Sequence, residues 1–449
     1  MDFMVILQFI VLLGGIYLGV KLGGMGVGYA GGLGVIVLAI LGMKVEFKDI
    51  PVDVILIIAS VISAITALQV AGGLDYLVQV ASKILRKNPK QINYLAPIVT
   101  YLLTILAGTG HTAFSMIPVI VEVAKTQNIK PSAPLALSVV SSQVAITASP
   151  ISAAFVAMSG LCEKLGVSYP KLLFICISTT FVAMLITSFI VNKFYDLDLS
   201  KDPVYKERLS KGLVAEIKAE EYKEPKPYAK RSVAIFAIGV LIVVCYALSL
   251  SILKNAGLVE KPILSRDSAI ISFMLTIGFL IAVLCKIDTG KLLSTSTFQS
   301  GMNACICVIG IAWLGTTFVN GHIDSIKEVA KNVVTQYPFV LAIALYFLSC
   351  LLYSQAATTK VMMPAVAAAL GMTSPENSGQ IWILVASFAA VSGLFVLPTY
   401  PTTLGAIAMD DTGTTRVGKF VFNHSFFLPG TIMVAISVAL GFLVAPALI

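Results

Sequence analysis

Apolar runs of about 18 to 25 residues recur along this chain, each long enough to cross the roughly 30 Å hydrocarbon layer of a bilayer as a helix. They lie at about 3–20, 24–42, 54–71, 134–158 and 171–192, and again at 232–252, 267–285, 300–320, 380–409 and 426–447. Such runs exclude a soluble globular domain. They also exclude a transmembrane β-barrel, whose strands read as short alternating segments. Only 12% of the 449 residues are charged, against about 25% in an ordinary soluble domain. The formal net charge of +8 therefore reads as loop charge that sets membrane topology, not as affinity for nucleic acid. The expected surroundings are a lipid bilayer, and the expected fold is an all-α polytopic membrane protein.

Two further apolar stretches, 91–125 and 338–371, are interrupted midway by small and polar residues. Each half is about 15 residues, too short to cross comfortably, so each stretch is expected to form a re-entrant hairpin. The one long hydrophilic segment, 193–231, holds a dense mixture of Lys, Arg, Asp and Glu and reads as a cytoplasmic linker. Counting spans from that anchor places Lys21, Lys83, Arg86, Lys87, Lys90, Lys286, Lys291, Arg416 and Lys419 on the same side, in agreement with the positive-inside rule. Both termini then fall on the outer side. The apolar N-terminal run has no basic residue before Lys21, which argues against a cleaved signal peptide.

Five full spans on each side of the linker require the two halves to be inverted. Internal similarity agrees. "GGLDYLVQVASKILRKNP" (72–89) resembles "GHIDSIKEVAKNVVTQYP" (321–338), "SPISAAFVAM" (149–158) resembles "YPTTLGAIAM" (400–409), and Pro118 corresponds to Pro364. The expected organisation is two inverted repeats, each of five transmembrane spans plus one hairpin. Repeat one covers 1–192, with hairpin 91–125 and broken span 134–158. Repeat two covers 232–449, with hairpin 338–371 and broken span 380–409. Inverted repeats with interrupted helices are a transporter signature.

Four interruptions carry the candidate chemistry. They are Gly108, Thr109, Gly110, His111 and Thr112 at the first tip, the polar strip "SQVAITASPIS" (142–152) that ends in Ser149, Pro150 and Ser152, "YSQAATTK" (353–360) at the second tip, and "LPTYPTT" (397–403). Proline within a span removes a backbone hydrogen bond. Broken helices also present free N–H groups and the positive end of the helix dipole, an arrangement suited to an anion. Hydroxyls of Thr109, Ser149, Ser152, Ser354, Thr358, Thr399, Thr402 and Thr403, the Gln355 amide and the Tyr400 phenol add neutral donors. Together these fit carboxylates. Formal charges within spans are costly and usually functional; two fall near the breaks, His111 and Lys360. His111 is either a ligand or a satisfied structural histidine. Lys360 either faces the site as a countercharge or pairs with a carboxylate elsewhere.

Other residues read as structural. Asp75 and Asp324 begin amphipathic stretches and are expected to cap interfacial helices. Asp410 and Asp411, near Arg416, are expected to form a cytoplasmic cluster. His322 and His424 lie near span ends. The glycines of "GGMGVGYAGGLGV" (23–35) lack the strand–turn–helix context of a nucleotide loop and read as close helix packing. The seven cysteines are scattered and mostly apolar in setting, so no metal site or disulfide is expected. No HExxH, GxSxG or Walker pattern is present, and no enzyme activity or cofactor is expected.

Six phrases together are recognisable: "LAPIVTYLLTILAGTGH", "ITASPISAA", "LLYSQAATTK", "LPTYPT", "MDDTGTTRVGKFVFNHSFFLPG" and the stretch from Gly72 to Lys90. The chain resembles the anaerobic C4-dicarboxylate transporter (Dcu) family over essentially its whole length, and "VEKP", "CKIDT" and "STFQSGMNACICVIGIAWLG" resemble its type A branch. The resemblance implies a bacterial inner-membrane carrier of fumarate, succinate, malate and aspartate, working mainly by exchange. It also implies the ion-transporter superfamily architecture, with a scaffold domain, a transport domain and elevator-like movement. A homodimer follows by the same analogy, and H+ or Na+ is left open as a coupling cation. Type B relatives carry an acidic residue just after the proline of the last break and also serve as sensor partners. Thr402 and Thr403 stand there instead, which argues against a sensor role. The rival readings are a cation-coupled carrier of another organic anion and a membrane sensor or channel.

Overall fold

The computed structural model describes residues 3–22, 25–50, 52–110, 113–214, 225–255, 263–322, 333–334, 336–352, 354–372, 374–398, 400–419 and 422–449. Among these the chain is nearly all helical, with two isolated β-bridges, Ile129 to Asp198 and Val417 to His424. The first half runs α1 (Phe3–Leu22), α2 (Gly26–Ile40), α3 (Val52–Val70), α4 (Gly73–Lys87), α5 (Ile92–Ala107), α6 (Ala113–Thr126), α7 (Ser132–Ile146), α8 (Ala153–Lys164) and α9 (Tyr169–Phe194). A short α10 (Pro203–Ser210) lies in the linker. The second half runs α11 (Ala229–Asn255), α12 (Arg266–Leu284), α13 (Ser296–Cys307), a π-helical turn (Val308–Ala312) and α14 (Trp313–Gly321). It continues with α15 (Phe339–Leu352), α16 (Gln355–Ala369), α17 (Ile381–Ser387), a 3-10 segment (Phe388–Val396), α18 (Pro401–Met409) and α19 (Phe427–Leu448).

Helices lie within all ten apolar runs, and α5–α6 and α15–α16 lie within the two stretches expected to form hairpins. Length separates the spans, however. Four described stretches are long and apolar enough to cross alone: Tyr169–Phe194, Ala229–Leu250, Thr297–Gly321 and Phe427–Leu448. Two bent pairs pass the same test together, up to six if each is one span: α3 with α4, bent by 74°, and α17 plus its 3-10 extension with α18, bent by 48°. The other apolar helices are shorter. The 15 residues of α2 reach only about 22 Å. Packing explains how short helices persist here. From Ala133 to Ile146 every residue of α7 is buried, so the strip Ser141, Ser142 and Gln143 meets protein rather than lipid.

The bend at Gly72, where φ is +83°, turns α4 away from α3. Ala81 and Leu85 of α4 are buried while Lys83 and Lys87 are exposed, the pattern of an amphipathic helix lying at an interface. Asp75 sits in its first turn, but Gly72 is the N-cap and makes no side-chain capping bond. The expected capping role of Asp75 is therefore reduced to its charge near the helix N-terminus. Asp324 lies outside the described residues.

The core divides in three. The largest apolar cluster joins α5–α9, α15–α19 and the buried face of α4, and reaches Ala247 of α11 and Val308 and Ala312 of the π-helical turn. A second joins α3, α11 and α12. A third joins α1, α2 and the π–α14 segment. Here the glycine-rich stretch acts as expected. Gly28 and Gly31 lie against the backbone at Ile306 and Gly310, and Gly34 lies against Leu314. Backbone approach this close leaves no room for a Cβ on either helix.

The linker does not simply cross solvent. Its start is strapped to the end of the first hairpin. Lys130 N–H bonds the Leu197 carbonyl at 2.8 Å, Leu199 N–H bonds the Asn128 carbonyl at 2.9 Å, and Lys130 pairs with Asp196 at 2.9 Å. Asp202 caps α10 through the Val204 and Tyr205 amides and pairs with Arg416 at 3.3 Å. The expected Asp410–Asp411–Arg416 cluster thus separates. Asp410 is buried and accepts from Thr412, Thr414 and Thr415, whereas Asp411 pairs with Lys125 at 2.8 Å.

Gly310→Val places a branched side chain on the Gly28 carbonyl. It is expected to cost about 1–3 kcal/mol and to lower the thermal unfolding midpoint in detergent, whereas Gly32→Val, at a position with open space, leaves it nearly unchanged.

Candidate functional site

The first hairpin breaks because α5 ends on Gly108 in the left-handed conformation, φ +66°, with its N–H bonded to the Thr104 carbonyl at 2.8 Å. Glycine is the residue that adopts this C-terminal conformation without strain. A Cβ on Gly108 would meet Ile151 at 3.0 Å, and one on Gly110 would meet the Ser142 carbonyl at 3.4 Å. The first tip therefore rests on the broken span α7–α8. Side chains complete the joint. Ser149 Oγ donates to the Ile105 carbonyl at 2.8 Å, and Ser152 Oγ donates to the Ile146 carbonyl at 2.6 Å while accepting from Phe155 N–H at 3.1 Å. Ser152 is thus the N-cap of α8 and ties the two ends of the break together. Thr109 is half-buried and faces a cavity of 370 Å³ shared with Gln69, Asp75, Ser115 and Thr297. His111 and Thr112 lie outside the described residues.

The second tip follows the same logic with different residues. Ser354 caps α16 by accepting from Ala357 N–H at 3.1 Å, and Thr358 Oγ1 donates back to the Ser354 carbonyl at 2.8 Å. Gln355, the first residue of α16, reaches out of its own helix. Its Nε2 donates to the Gln143 carbonyl at 2.7 Å and to Ser392 Oγ at 3.0 Å. Gln143 in turn donates from Nε2 to Thr402 Oγ1 at 3.3 Å. Thr402 and Thr403 are buried at the start of α18, and Thr403 Oγ1 bonds the Tyr400 carbonyl at 2.7 Å. Tyr400 is the N-cap of α18 and makes no side-chain capping bond; its carbonyl accepts from the Thr403 and Leu404 amides, both at 3.0 Å, and the positive end of the helix dipole lies at this point. Thr399 lies outside the described residues.

The C-terminal end of α7 is where these pieces meet. Gly110 touches it at Ser142, and Gln355 and Thr402 bond it at Gln143. Of the expected candidates, Gly108, Gly110, Ser149 and Ser152 meet through the first break, and Ser354, Gln355, Thr402 and Thr403 through the second. Thr358 is buried within the first turn of α16, and Tyr400 is half-buried beside Pro401. Lys360 stands apart from the Gln355 contacts. It is roughly 140° round α16 from Gln355 and shares its half-buried to exposed face with Pro364 and Ala368.

Two residues of the cluster were not singled out from sequence, Gln143 and Ser392. Gln143 lay in the polar strip 142–152 with no role of its own assigned to it; for Ser392 there was no signal beyond a lone hydroxyl. Gln143 is fully buried, and its Oε1 has no hydrogen-bond partner among the described residues. A buried acceptor left in this state costs about 1–3 kcal/mol, so the cluster retains capacity for one more polar group. Neutral donors at helix N-termini can hold an anion without the cost of burying a cation. Among the described residues no three His, Cys, Asp or Glu side chains are grouped to hold a metal ion. The two described histidines have structural partners: His322 Nε2 meets Gln8 Oε1 at 2.7 Å, and His424 Nε2 meets the Val396 carbonyl at 3.0 Å.

Gln355→Ala removes both of its bonds across the cluster. It is expected to destabilise the protein by about 1–3 kcal/mol, seen as a lower unfolding midpoint in detergent. Gln355→Glu keeps the shape but puts an acceptor against the Gln143 carbonyl, and its midpoint is expected to fall at least as far.

Comparison with known proteins identifies the family. The chain matches the model of the anaerobic C4-dicarboxylate membrane transporter family over residues 4–449. It is 59% identical over 446 residues to the C4-dicarboxylate transporter DcuA of Wolinella succinogenes, covering 99% of this chain and 100% of that one. It is 54% identical over 439 residues to the C4-dicarboxylate transporter DcuA of Escherichia coli (strain K12), covering 98% of each. The anaerobic C4-dicarboxylate transporter DcuB of Escherichia coli O6:H1 is more distant, at 35% over 452 residues, also 98% of each chain. The type A likeness read from sequence is the one these identities carry. A match of this extent makes the chain a multi-pass membrane transporter and not an enzyme: it belongs to the anaerobic C4-dicarboxylate membrane transporter family.

Proposed function

We propose that the chain is a secondary carrier of C4-dicarboxylates that works by alternating access, mainly exchanging fumarate or aspartate for succinate. One observation carries the reading: two hairpin tips and two broken spans converge on the end of α7, joined by the Gln355–Gln143–Thr402 bonds. A C4-dicarboxylate has two carboxylates a few ångströms apart. Two broken elements, each with helix N-terminal amides and hydroxyls, supply one end of the site to each. The similarity to C4-dicarboxylate transporters of Wolinella succinogenes and Escherichia coli supports this substrate class.

Inverted repeats fit the contacts as well as the sequence. In the first half Thr100 of α5 bonds the Ser138 carbonyl and Ser141 Oγ of α7. In the second half Ser349 of α15, 249 positions later, accepts from Gly393 N–H of the 3-10 segment at 3.0 Å. The bond from Ser392 to the Gln143 carbonyl also spans 249 positions. In this reading the first hairpin opens from the cytoplasm and the second from outside. Repeat one ends at 192, and the linker 193–231 is cytoplasmic. The helices of the large cluster form the transport domain, and those of the two smaller clusters form the scaffold. The carrier sits in a bacterial inner membrane with both termini periplasmic, dimerises through the scaffold, and uses H+ or Na+ when uptake is driven by a cation gradient.

Exchange has a physical rationale. A site lined by amide and hydroxyl donors is costly to return empty through a low-dielectric region, because its donors then lack partners. Returning with a second dicarboxylate avoids that state. Proteoliposomes loaded with succinate should therefore take up labelled fumarate or aspartate several-fold faster than empty ones. Equal uptake in loaded and empty vesicles contradicts exchange, and no uptake in either contradicts the carrier reading.

A further inference from the structure

The 370 Å³ cavity lies between α3, the start of α4, the first hairpin and the ends of α13 and α18. It adjoins the first tip through Thr109. Its polar lining consists of Gln69, Asp75, Thr109, Ser115 and Thr297, and its other walls are apolar. Asp75 is the one lining residue with a formal charge, and its side chain is exposed rather than buried. The nearby cations are turned elsewhere. Lys226 Nζ donates to the Val70 carbonyl at 3.2 Å, and Lys230 Nζ stands 5.8 Å from the centre of the Tyr76 ring. None of the described ion pairs includes Asp75.

A carboxylate in this place is at odds with a path for dianions alone. In water-like surroundings a unit charge at about 4 Å shifts an equilibrium roughly fivefold. Asp75 thus disfavours a ligand whose only charges are negative. It favours one that also carries a cationic group able to come within hydrogen-bond distance. The sequence repeat has an aspartate at the matching place in the second half, Asp324 of "GHID" against Asp75 of "GGLD".

We propose that Asp75 is a specificity-determining residue whose carboxylate takes the ammonium group of an amino-dicarboxylate in this cavity, with the Thr109 and Ser115 hydroxyls of the same cavity lining for the ligand's carboxylate. The inference rests on the carrier reading above. It makes the cavity the place where aspartate is separated from fumarate and succinate, which lack the ammonium group. The tip cluster around Gln143 then serves all three.

The test is competition by unlabelled L-aspartate, fumarate and succinate against labelled succinate exchange in proteoliposomes. Asp75→Asn is expected to raise the half-inhibitory concentration of aspartate about fivefold or more while those of fumarate and succinate stay the same or fall. Asp75→Glu, which keeps the charge, is expected to retain most of the preference. An equal change for all three ligands overturns the inference and leaves the carrier reading intact, as does no change for any. Exchange of none of the three by the unsubstituted protein overturns both. Thermal unfolding in detergent verifies that the variant is folded; if Asp75→Asn does not assemble, Asp75→Ser gives the same comparison.

Discussion

Backbone groups freed by a broken helix have no water to bond within a bilayer, and the centre of this protein is organised around that constraint. Each break exposes amides and carbonyls that a continuous helix would have satisfied. Serine and threonine close some of them locally. Ser152 and Ser354 cap the helices that restart, and Ser149 reaches back to the Ile105 carbonyl. Others are closed between elements, most of all the Gln143 carbonyl, which accepts from Gln355. A break tolerated only where partners exist has to be buried in protein, and α7 is buried along nearly its whole length. The site is thus a consequence of how the breaks are satisfied. What remains open among the described residues, Gln143 Oε1, is what a polar ligand can complete.

Much of this was legible in the sequence because it depends on local chemistry. Apolar runs located the helices to within a few residues. Gly108, Pro150 and Pro401 located the breaks, since each fixes or frees the backbone at its own position. The stretch from residue 23 to 35 announced close packing, because only glycine lets two backbones approach as those of Gly28 and Gly310 do. The resemblance of whole phrases named the family before any geometry was known.

What was not legible is long-range. Gln143 looked like one more polar residue in a strip, and its importance comes from partners 212 and 259 positions away. Ser392 is half of a contact between two halves of the chain and has no local signature. Asp75 reads from sequence as a helix cap, because an acidic residue in a first turn usually is one. Only the bend at Gly72 and the placement of the first hairpin turn it toward a cavity. Charge proximity along the chain also misled. Asp411 and Arg416 lie five positions apart yet bond to different partners, Lys125 and Asp202.

The central claim is that the two halves hold one dicarboxylate between them at the end of α7. The most direct measurement is an experimental structure with succinate bound. The account predicts density beside Gln143, with one carboxylate within hydrogen-bond distance of the first tip or the Ser149–Ser152 break and the other within reach of Gln355, Thr402 or the α18 N-terminus. Succinate bound away from Gln143, or held by residues of one half alone, would contradict it.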